Sequence, residues 1–310
     1  MRYAFINTLT KFARRDKRIY LLTGDLGFMA FERFRDEFKE RFINMGVAES
    51  NMVGVAAGLA LSGKLVFIYS IVPFITYRCL EHIRNDICYH KLKVCIIGAG
   101  GGYSYGHQGA THHALEDIGV MNALSNMSVI CPGDPLEVEA AIRASVDFPG
   151  PIYIRLGKTG EPKLHNNTTI ANFKIGRGIK LCQGNDLTLI ATGNILETAL
   201  EVAKRLKNKK IRAQVISMHT IKPIDRELIL VCARKTKFIF TLEEHGPNGG
   251  LASVVALVLA SSKTDYHFYS FHTPSRFIDV IGSREYLCQK AGISVNAITE
   301  KIISKINCAK

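Results

Sequence analysis

Short, continuously apolar runs recur along this chain, and each is followed by a stretch with helical periodicity. The clearest runs cover residues 18–23, 65–70, 93–97, 127–131, 152–156, 187–192, 213–218 and 238–243. A sheet with one face in water would place polar residues at alternate positions. Their absence predicts strands covered on both faces. Residues 49–61, 78–90, 112–124, 135–146, 195–206 and 249–260 read as helices, with Asn194 and Glu197 spaced as a capping box. Alternation of strand and helix predicts an α/β protein with mainly parallel sheets. At 310 residues the chain is expected to form two domains. The polar run 165–172 is the best division, giving a first domain 1–164, a linker 165–176 and a second domain 177–310.

Composition narrows the function classes. The chain is 47% hydrophobic and 22% charged, which excludes disorder and low-complexity scaffolds. No apolar run approaches the roughly 20 residues of a membrane span, and the first 20 residues lack a signal-peptide core. Eight cysteines occur without a CxxC pair, so they read as small buried hydrophobes in a reducing compartment, and a cytoplasmic protein is expected. Most of the +13 net charge falls in residues 161–310 and is densest at 204–212. That run closes an amphipathic helix, where cations suit the helix dipole, and it has no interleaved aromatics for base stacking. It reads as a solvated face, with no nucleic acid expected.

Glu49 is the first site candidate. It opens a helix built almost wholly of Ala, Gly, Val and Leu, which predicts complete burial. An acid in a first helical turn is ordinarily a dipole partner. The apolar surroundings add that a buried carboxyl would favour its protonated form and could donate a hydrogen bond.

The string Gly46-Val47-Ala48-Glu49-Ser50-Asn51-Met52-Val53-Gly54-Val55-Ala56-Ala57-Gly58 resembles the cofactor-activating segment of transketolase-type thiamine diphosphate enzymes. The similarity extends through Gly24-Asp25-Leu26-Gly27, Ile68-Tyr69-Ser70-Ile71-Val72-Pro73-Phe74, Gly109-Ala110-Thr111-His112-His113, Pro151-Ile152-Tyr153-Ile154-Arg155 and Leu242-Glu243-Glu244-His245-Gly246-Pro247. It matches the C-terminal half of transketolase, or the separate C-terminal subunit of a split enzyme. The resemblance implies a pyrimidine-binding thiamine diphosphate fold followed by a transketolase C-terminal fold. It gives Glu49 the place of the glutamate that hydrogen-bonds N1′ of the aminopyrimidine and thereby promotes loss of the thiazolium C2 proton. The cofactor then serves as the electron sink for moving a two-carbon ketol unit.

Other positions follow from the same resemblance. Phe74, with Tyr69 and Tyr77 behind it, would form the aromatic wall against the aminopyrimidine, although aromatics at a strand end are ordinarily core. His112 matches a substrate-contacting and proton-handling histidine. Arg155 matches an arginine used on the substrate phosphate, and Arg2 is a second candidate. His107 and Gln108 lie in the Gly-rich loop 98–109, whose spacing is wrong for a dinucleotide fingerprint and which reads as a flexible active-site loop. Here the chain departs from the family: Gln108 replaces an acidic residue that reads a sugar hydroxyl, and the histidine expected earlier falls at Gly100 and Gly101. Glu243-Glu244-His245 could suit metal ligation, but the bland reading, a strand-to-helix turn, is preferred.

Diphosphate and Mg2+ binding in this family needs a Gly-Asp-Gly motif and a downstream Asn, which Gly24-Asp25-Leu26 does not supply. The resemblance therefore implies a partner chain, an N-terminal transketolase subunit carrying the diphosphate half and the Mg2+ ligands, in an α2β2 assembly that includes self-dimerisation. Asp25 would be a polar contact near the cofactor at that interface. Sugar phosphates are the expected substrates. The alternatives are the β subunit of a 2-oxo acid dehydrogenase, a deoxyxylulose-phosphate synthase-like enzyme, and a non-catalytic scaffold that keeps the fold. Retention of Glu49 argues against the scaffold.

Overall fold

The computed structural model describes residues 1–158 and 160–309. The strands, in chain order, are β1 (Ile19–Thr23), β2 (Phe42–Asn44), β3 (Leu65–Ile71), β4 (Val94–Ala99), β5 (Ser128–Ile130), β6 (Ile152–Leu156), β7 (Ile179–Cys182), β8 (Leu187–Ala191), β9 (Ala213–Ser217), β10 (Thr220–Lys222), β11 (Phe238–Leu242) and β12 (His267–Phe271). They form two sheets, ordered β10-β5-β6-β4-β3-β1-β2 and β12-β11-β8-β9-β7. Every pairing is parallel except β10 with β5 and β7 with β9, both at sheet edges. β3, β4, β6, β8, β9 and β11 are buried at every position, as their unbroken apolar pattern requires. Among the described residues no helix is long and apolar enough to cross a membrane.

The eight strands expected from sequence are all present, within two residues at each end. The short edge strands β2, β7, β10 and β12 escape the pattern because an edge strand needs no two-sided apolar run. β10 has a consequence for the domain division. It lies in the second half of the chain yet extends the first sheet, pairing Thr220 with Ile130 and Lys222 with Val129. Lys222 Nζ then donates to the carbonyls of Asn122 and Leu124. One apolar cluster also runs continuously from Leu22 and Met52 through Met121 to Ile216 and Val255. The two sheets thus share a core.

Helices Glu49–Leu61 and Pro135–Val146 have the expected limits. Two others do not. The segment expected as a helix over 78–90 is a short turn at Leu80–His82 followed by a wide, π-type turn at Ile83–Cys88. The helix expected from His112 starts only at Asp117, because an antiparallel bridge between Gly102 and Ala114 pins the preceding loop in extended form. The capping box at Asn194 does not form: Asn194 Nδ2 donates to Ser104 Oγ across the two halves. A capping box forms instead within the linker region, where Asn166 and Thr169 exchange hydrogen bonds around Asn167–Ile170.

Candidate active site

In open parallel sheets, ligands bind beyond the carboxyl ends of the strands. At that edge of the first sheet, β1 ends at Thr23, β3 at Ile71 and β4 at Ala99, and the loop after β2 delivers Glu49. Glu49 is 1% exposed. Its Oε1 accepts from Ser70 Oγ at 2.8 Å, and its Oε2 accepts from Arg78 Nη1 at 2.7 Å. Gly24 closes over the carboxyl: a Cβ there would stand 3.1 Å from Glu49 Oε1. Burial of Glu49 follows the sequence expectation, but the guanidinium partner does not. The small residues around Glu49 account for its burial, whereas Arg78 comes from the turn that follows the short helix Val72–Thr76.

Strand alternation sorts the aromatics. Ser70 faces Glu49, so Tyr69 must point through the opposite side of the sheet. There it stacks on Phe5, with centroids 5.9 Å apart, and meets the edge of Phe31 at 4.7 Å. Tyr69 is therefore core beneath the first helix and does not join the aromatic wall. Phe74 does stand beside Glu49. It lies on the short helix Val72–Thr76, half-buried, with the Arg78 guanidinium 5.0 Å from its centroid and the His112 ring 5.1 Å away. Tyr77 donates its hydroxyl to Glu116 Oε2 at 2.9 Å. Burial, and then the nearby carboxylates, push its phenol up, so it stays a neutral donor. A cavity of about 370 Å³ opens beside these groups, lined by Pro73, Tyr77, Thr111, His113, Glu116 and Phe277.

The loop after β4 is not loose. Gly100, Gly101 and Gly102 are buried, and a Cβ on Gly101 would meet Arg155 Nε at 2.7 Å. Polar and apolar partners hold it from both halves: Tyr103 is fully buried, and its backbone N–H donates to Glu244 Oε2. The loop's exposed part is His107 and Gln108, in a single turn at Gly106–Gln108. His112 is half-buried, its Nδ1 3.0 Å from Thr111 Oγ1, and His113 beside it is buried and depressed in pKa by desolvation.

Arg155 is 4% exposed and differs most from its expected role. Its Nε donates to Asp117 Oδ2 at 2.9 Å, and its Nη2 reaches Asp117 Oδ1, the Ala114 carbonyl and the Glu244 carbonyl. Tyr153 donates to the same Asp117 carboxylate at 2.6 Å. With so many of its donors committed inside the protein, Arg155 anchors the His112 loop to the second half and does not face a substrate phosphate. The exposed cation near it is Lys158, whose Nζ lies 5.1 Å from the Tyr105 ring centroid. Lys158 borders a cavity of about 320 Å³ with Ser104, Asn194, Glu197 and Arg284. Arg2 lies beside Tyr69 and Tyr105 with its Nε buried and unpartnered. Asp25, at φ 55, exchanges hydrogen bonds with Asn44 at the open rim above Glu49.

Sequence reasoning missed Ser70, Arg78, Asp117 and Lys158. Only Asp117 left a readable signal, since a strand arginine buried among apolar residues demands a carboxylate. In the second half, Glu243 accepts from the Leu251 and Ala252 N–H groups and Glu244 pairs with Arg284, so this segment is a strand-to-helix turn, as expected. Among the described residues, the one group of acids and histidine close enough to share an ion is Asp134, Glu137 and His165. Its carboxylates already accept backbone N–H groups, and His165 lies between them.

Residues 1–161 match the transketolase pyrimidine-binding domain, and residues 176–298 match the transketolase C-terminal domain. The chain belongs to the transketolase family. It is 41% identical over 264 residues to a protein provisionally named a transketolase C-terminal section from Methanocaldococcus jannaschii, covering 84% of this chain and 82% of that one. It is 37% identical over 262 residues to one subunit of an apulose-4-phosphate transketolase from Phocaeicola vulgatus, covering 84% of each. Among solved structures it resembles a split-gene transketolase in an inactive β4 tetramer, with TM-score 0.86, 36% identity and coverage of 97% and 96%. The transketolase fold, in its split-subunit form, thus accounts for both halves of the chain.

Proposed function

We propose that this chain is the C-terminal subunit of a two-chain transketolase that moves a two-carbon ketol unit between sugar phosphates with thiamine diphosphate. The observation that carries the reading is Glu49, buried at the start of its helix with Oε2 turned toward the open side and Phe74 beside it. A buried carboxylate acceptor next to a half-exposed aromatic face fits an aminopyrimidine ring, which needs a partner for one ring nitrogen and a surface to stack on. When bound, the cofactor supplies the carbanion chemistry. Glu49 holds a proton at the pyrimidine ring nitrogen, Ser70 and Gly24 fix the carboxyl, and Phe74 and Tyr77 orient the ring. Tyr69 is left out of this set. His112 faces the sugar, with Arg2, His107 and Gln108 as further candidates for contacting it, and Lys158 replaces Arg155 as the cation for its phosphate.

The diphosphate and Mg2+ site is placed on a partner subunit because Gly24-Asp25-Leu26 departs from the Gly-Asp-Gly motif that supplies it in the family. We assign that partner as an N-terminal transketolase subunit, with Asp25 on the shared rim, in an assembly that also pairs two copies of this chain. Domain limits of 1–164 and 177–310 agree with this division of labour, with β10 as a strut between them. The test is to co-express the chain with a candidate N-terminal subunit and assay ketol transfer from xylulose 5-phosphate with thiamine diphosphate and Mg2+. Activity should need both chains and fall by roughly 10²-fold or more in Glu49→Gln with the Tm preserved. A stable two-chain complex that transfers no ketol unit from any sugar phosphate would overturn the assignment.

A further inference from the structure

Arg78 occupies both groups that the proposed cofactor needs. Its Nη1 sits 2.7 Å from Glu49 Oε2, and its guanidinium carbon lies 5.0 Å from the Phe74 centroid. The pair is lopsided: the Glu49 side chain is 1% exposed and that of Arg78 is 48% exposed. Ser70 Oγ takes Oε1, so among the described residues Arg78 provides the hydrogen bond on the other oxygen. A carboxylate buried without a cation is strongly unfavourable. A guanidinium already half in water loses little on leaving, because solvent replaces its partner. The geometry is that of a plug held by its buried end.

We propose that Arg78 is a displaceable counter-ion for Glu49. While the site is open, it neutralises the buried carboxylate and covers the face of Phe74. A ring that stacks on Phe74 and shares with Oε2 a proton taken up from water must push the guanidinium out toward solvent. Arg78 is then a positioning residue that lowers cofactor affinity and gives the buried Glu49 carboxyl a partner while the site is open. It also selects the ligand, since a flat ring that cannot share that proton could cover Phe74 but would leave Glu49 without a partner. The inference rests on the reading that this site takes an aminopyrimidine, but half of its test does not.

The first measurement is a double-mutant cycle on the full chain alone, using Arg78→Ala, Glu49→Gln and the double variant in thermal unfolding at neutral pH. Arg78→Ala should lower the Tm, and most of that loss should vanish in the Glu49→Gln background. The second is the Kd for thiamine diphosphate, measured by equilibrium dialysis with Mg2+ on the complex with the N-terminal subunit. Arg78→Ala should bind more tightly, by roughly threefold or more, because a competing state has been removed. Arg78→Lys, which keeps charge but not the planar fork, should fall between. Additive Tm losses would overturn the counter-ion role, and an unchanged or weaker Kd in Arg78→Ala would overturn displacement. If the wild-type complex takes up no thiamine diphosphate, displacement fails together with the functional reading. The cycle on the single chain reports the counter-ion independently of that outcome.

Discussion

Two kinds of buried acid stand at opposite levels of commitment in this molecule. Asp117 and the Asp134–Glu137 pair meet cations that are themselves buried: Arg155 with 4% of its side chain exposed, and His165 with none. Glu49 is as deeply buried but meets a cation that reaches in from water. The first arrangement has no way to release its partner without leaving an uncompensated charge in the interior. The second can, provided that something else enters. Both obey the rule that an interior carboxylate needs a partner, and the exposure of that partner separates structural networks from a binding site.

The largest expected effect tests the fixed side. Asp117→Ala would leave Arg155 buried with only carbonyl acceptors and strip the Tyr153 hydroxyl of its partner. A loss of about 3–5 kcal/mol is expected, read as a lower midpoint in denaturant unfolding or as failure to accumulate as folded protein. Replacing the pair together, as Asp117→Leu with Arg155→Met, should recover part of that loss, since two apolar side chains carry no desolvation penalty. If Asp117→Ala costs no more than Arg78→Ala, the distinction drawn between the two regions is wrong.

The next effect is smaller and depends on pH. His165 lies 3.2 Å from Asp134 and 3.1 Å from Glu137, and Ser217 and His219 of the second half face the same pocket, with Ser217 Oγ donating to Glu137 Oε1. Burial alone would lower the imidazole pKa, but the two carboxylates overcome it and raise the value from 6.5 to about 9. His219 is buried and depressed, so it remains neutral. A histidine raised on folding stabilises fully below its unfolded pKa, and that contribution is lost as pH rises through its folded pKa. The wild type should therefore lose stability between pH 6.5 and about 9. Both carboxylates are desolvated yet held below their ordinary range, chiefly by His165, so their contribution is lost at the acid end instead. His165→Gln should cost about 2 kcal/mol below pH 6.5, and the gap to wild type should narrow above pH 9. A gap independent of pH would mean that His165 is a neutral packing residue.

This contrast also explains what could be read from the residues alone. The two-sided apolar strands and the helices at Glu49–Leu61 and Pro135–Val146 were legible because burial on every side leaves a strong local signature. The edge strands were not, since β10 owes its place to β5, some 90 residues earlier in the chain, and not to its own three residues. At the site, Glu49 stood out because a lone acid among small apolar residues is conspicuous. Phe74 came from the family resemblance, since an aromatic at a strand end reads by itself as core. Tyr69 falls outside the wall because Ser70, one residue on, faces Glu49, and strand alternation sends Tyr69 to the other side of the sheet against Phe5. Arg155 was misread as well. The resemblance alone gave it a substrate phosphate, whereas in the structure its carboxylate partner is Asp117, 38 positions away. Arg78 and Lys158 gave no signal, because exposed cations are ordinary on a chain with 40 of them.

The smallest effect turns on that last pair. If Arg155 is architectural and Lys158 is the cation that meets the substrate, the two should fail differently. Arg155→Ala removes the anchor of the His112 loop and should lower stability and activity together. Lys158→Ala removes an exposed charge, so its Tm should stay within about 0.5 kcal/mol of wild type in stability terms. Its KM for a sugar phosphate should rise by roughly tenfold, corresponding to about 1.4 kcal/mol, with kcat nearly unchanged because a remote phosphate contact binds ground and transition states alike. A donor lacking the phosphate should not distinguish Lys158→Ala from wild type. If it does, Lys158 acts on the sugar or the loop. If Lys158→Ala leaves the phosphorylated donor untouched, the phosphate is met elsewhere, and Arg2, whose buried Nε has no partner, becomes the cation to change next.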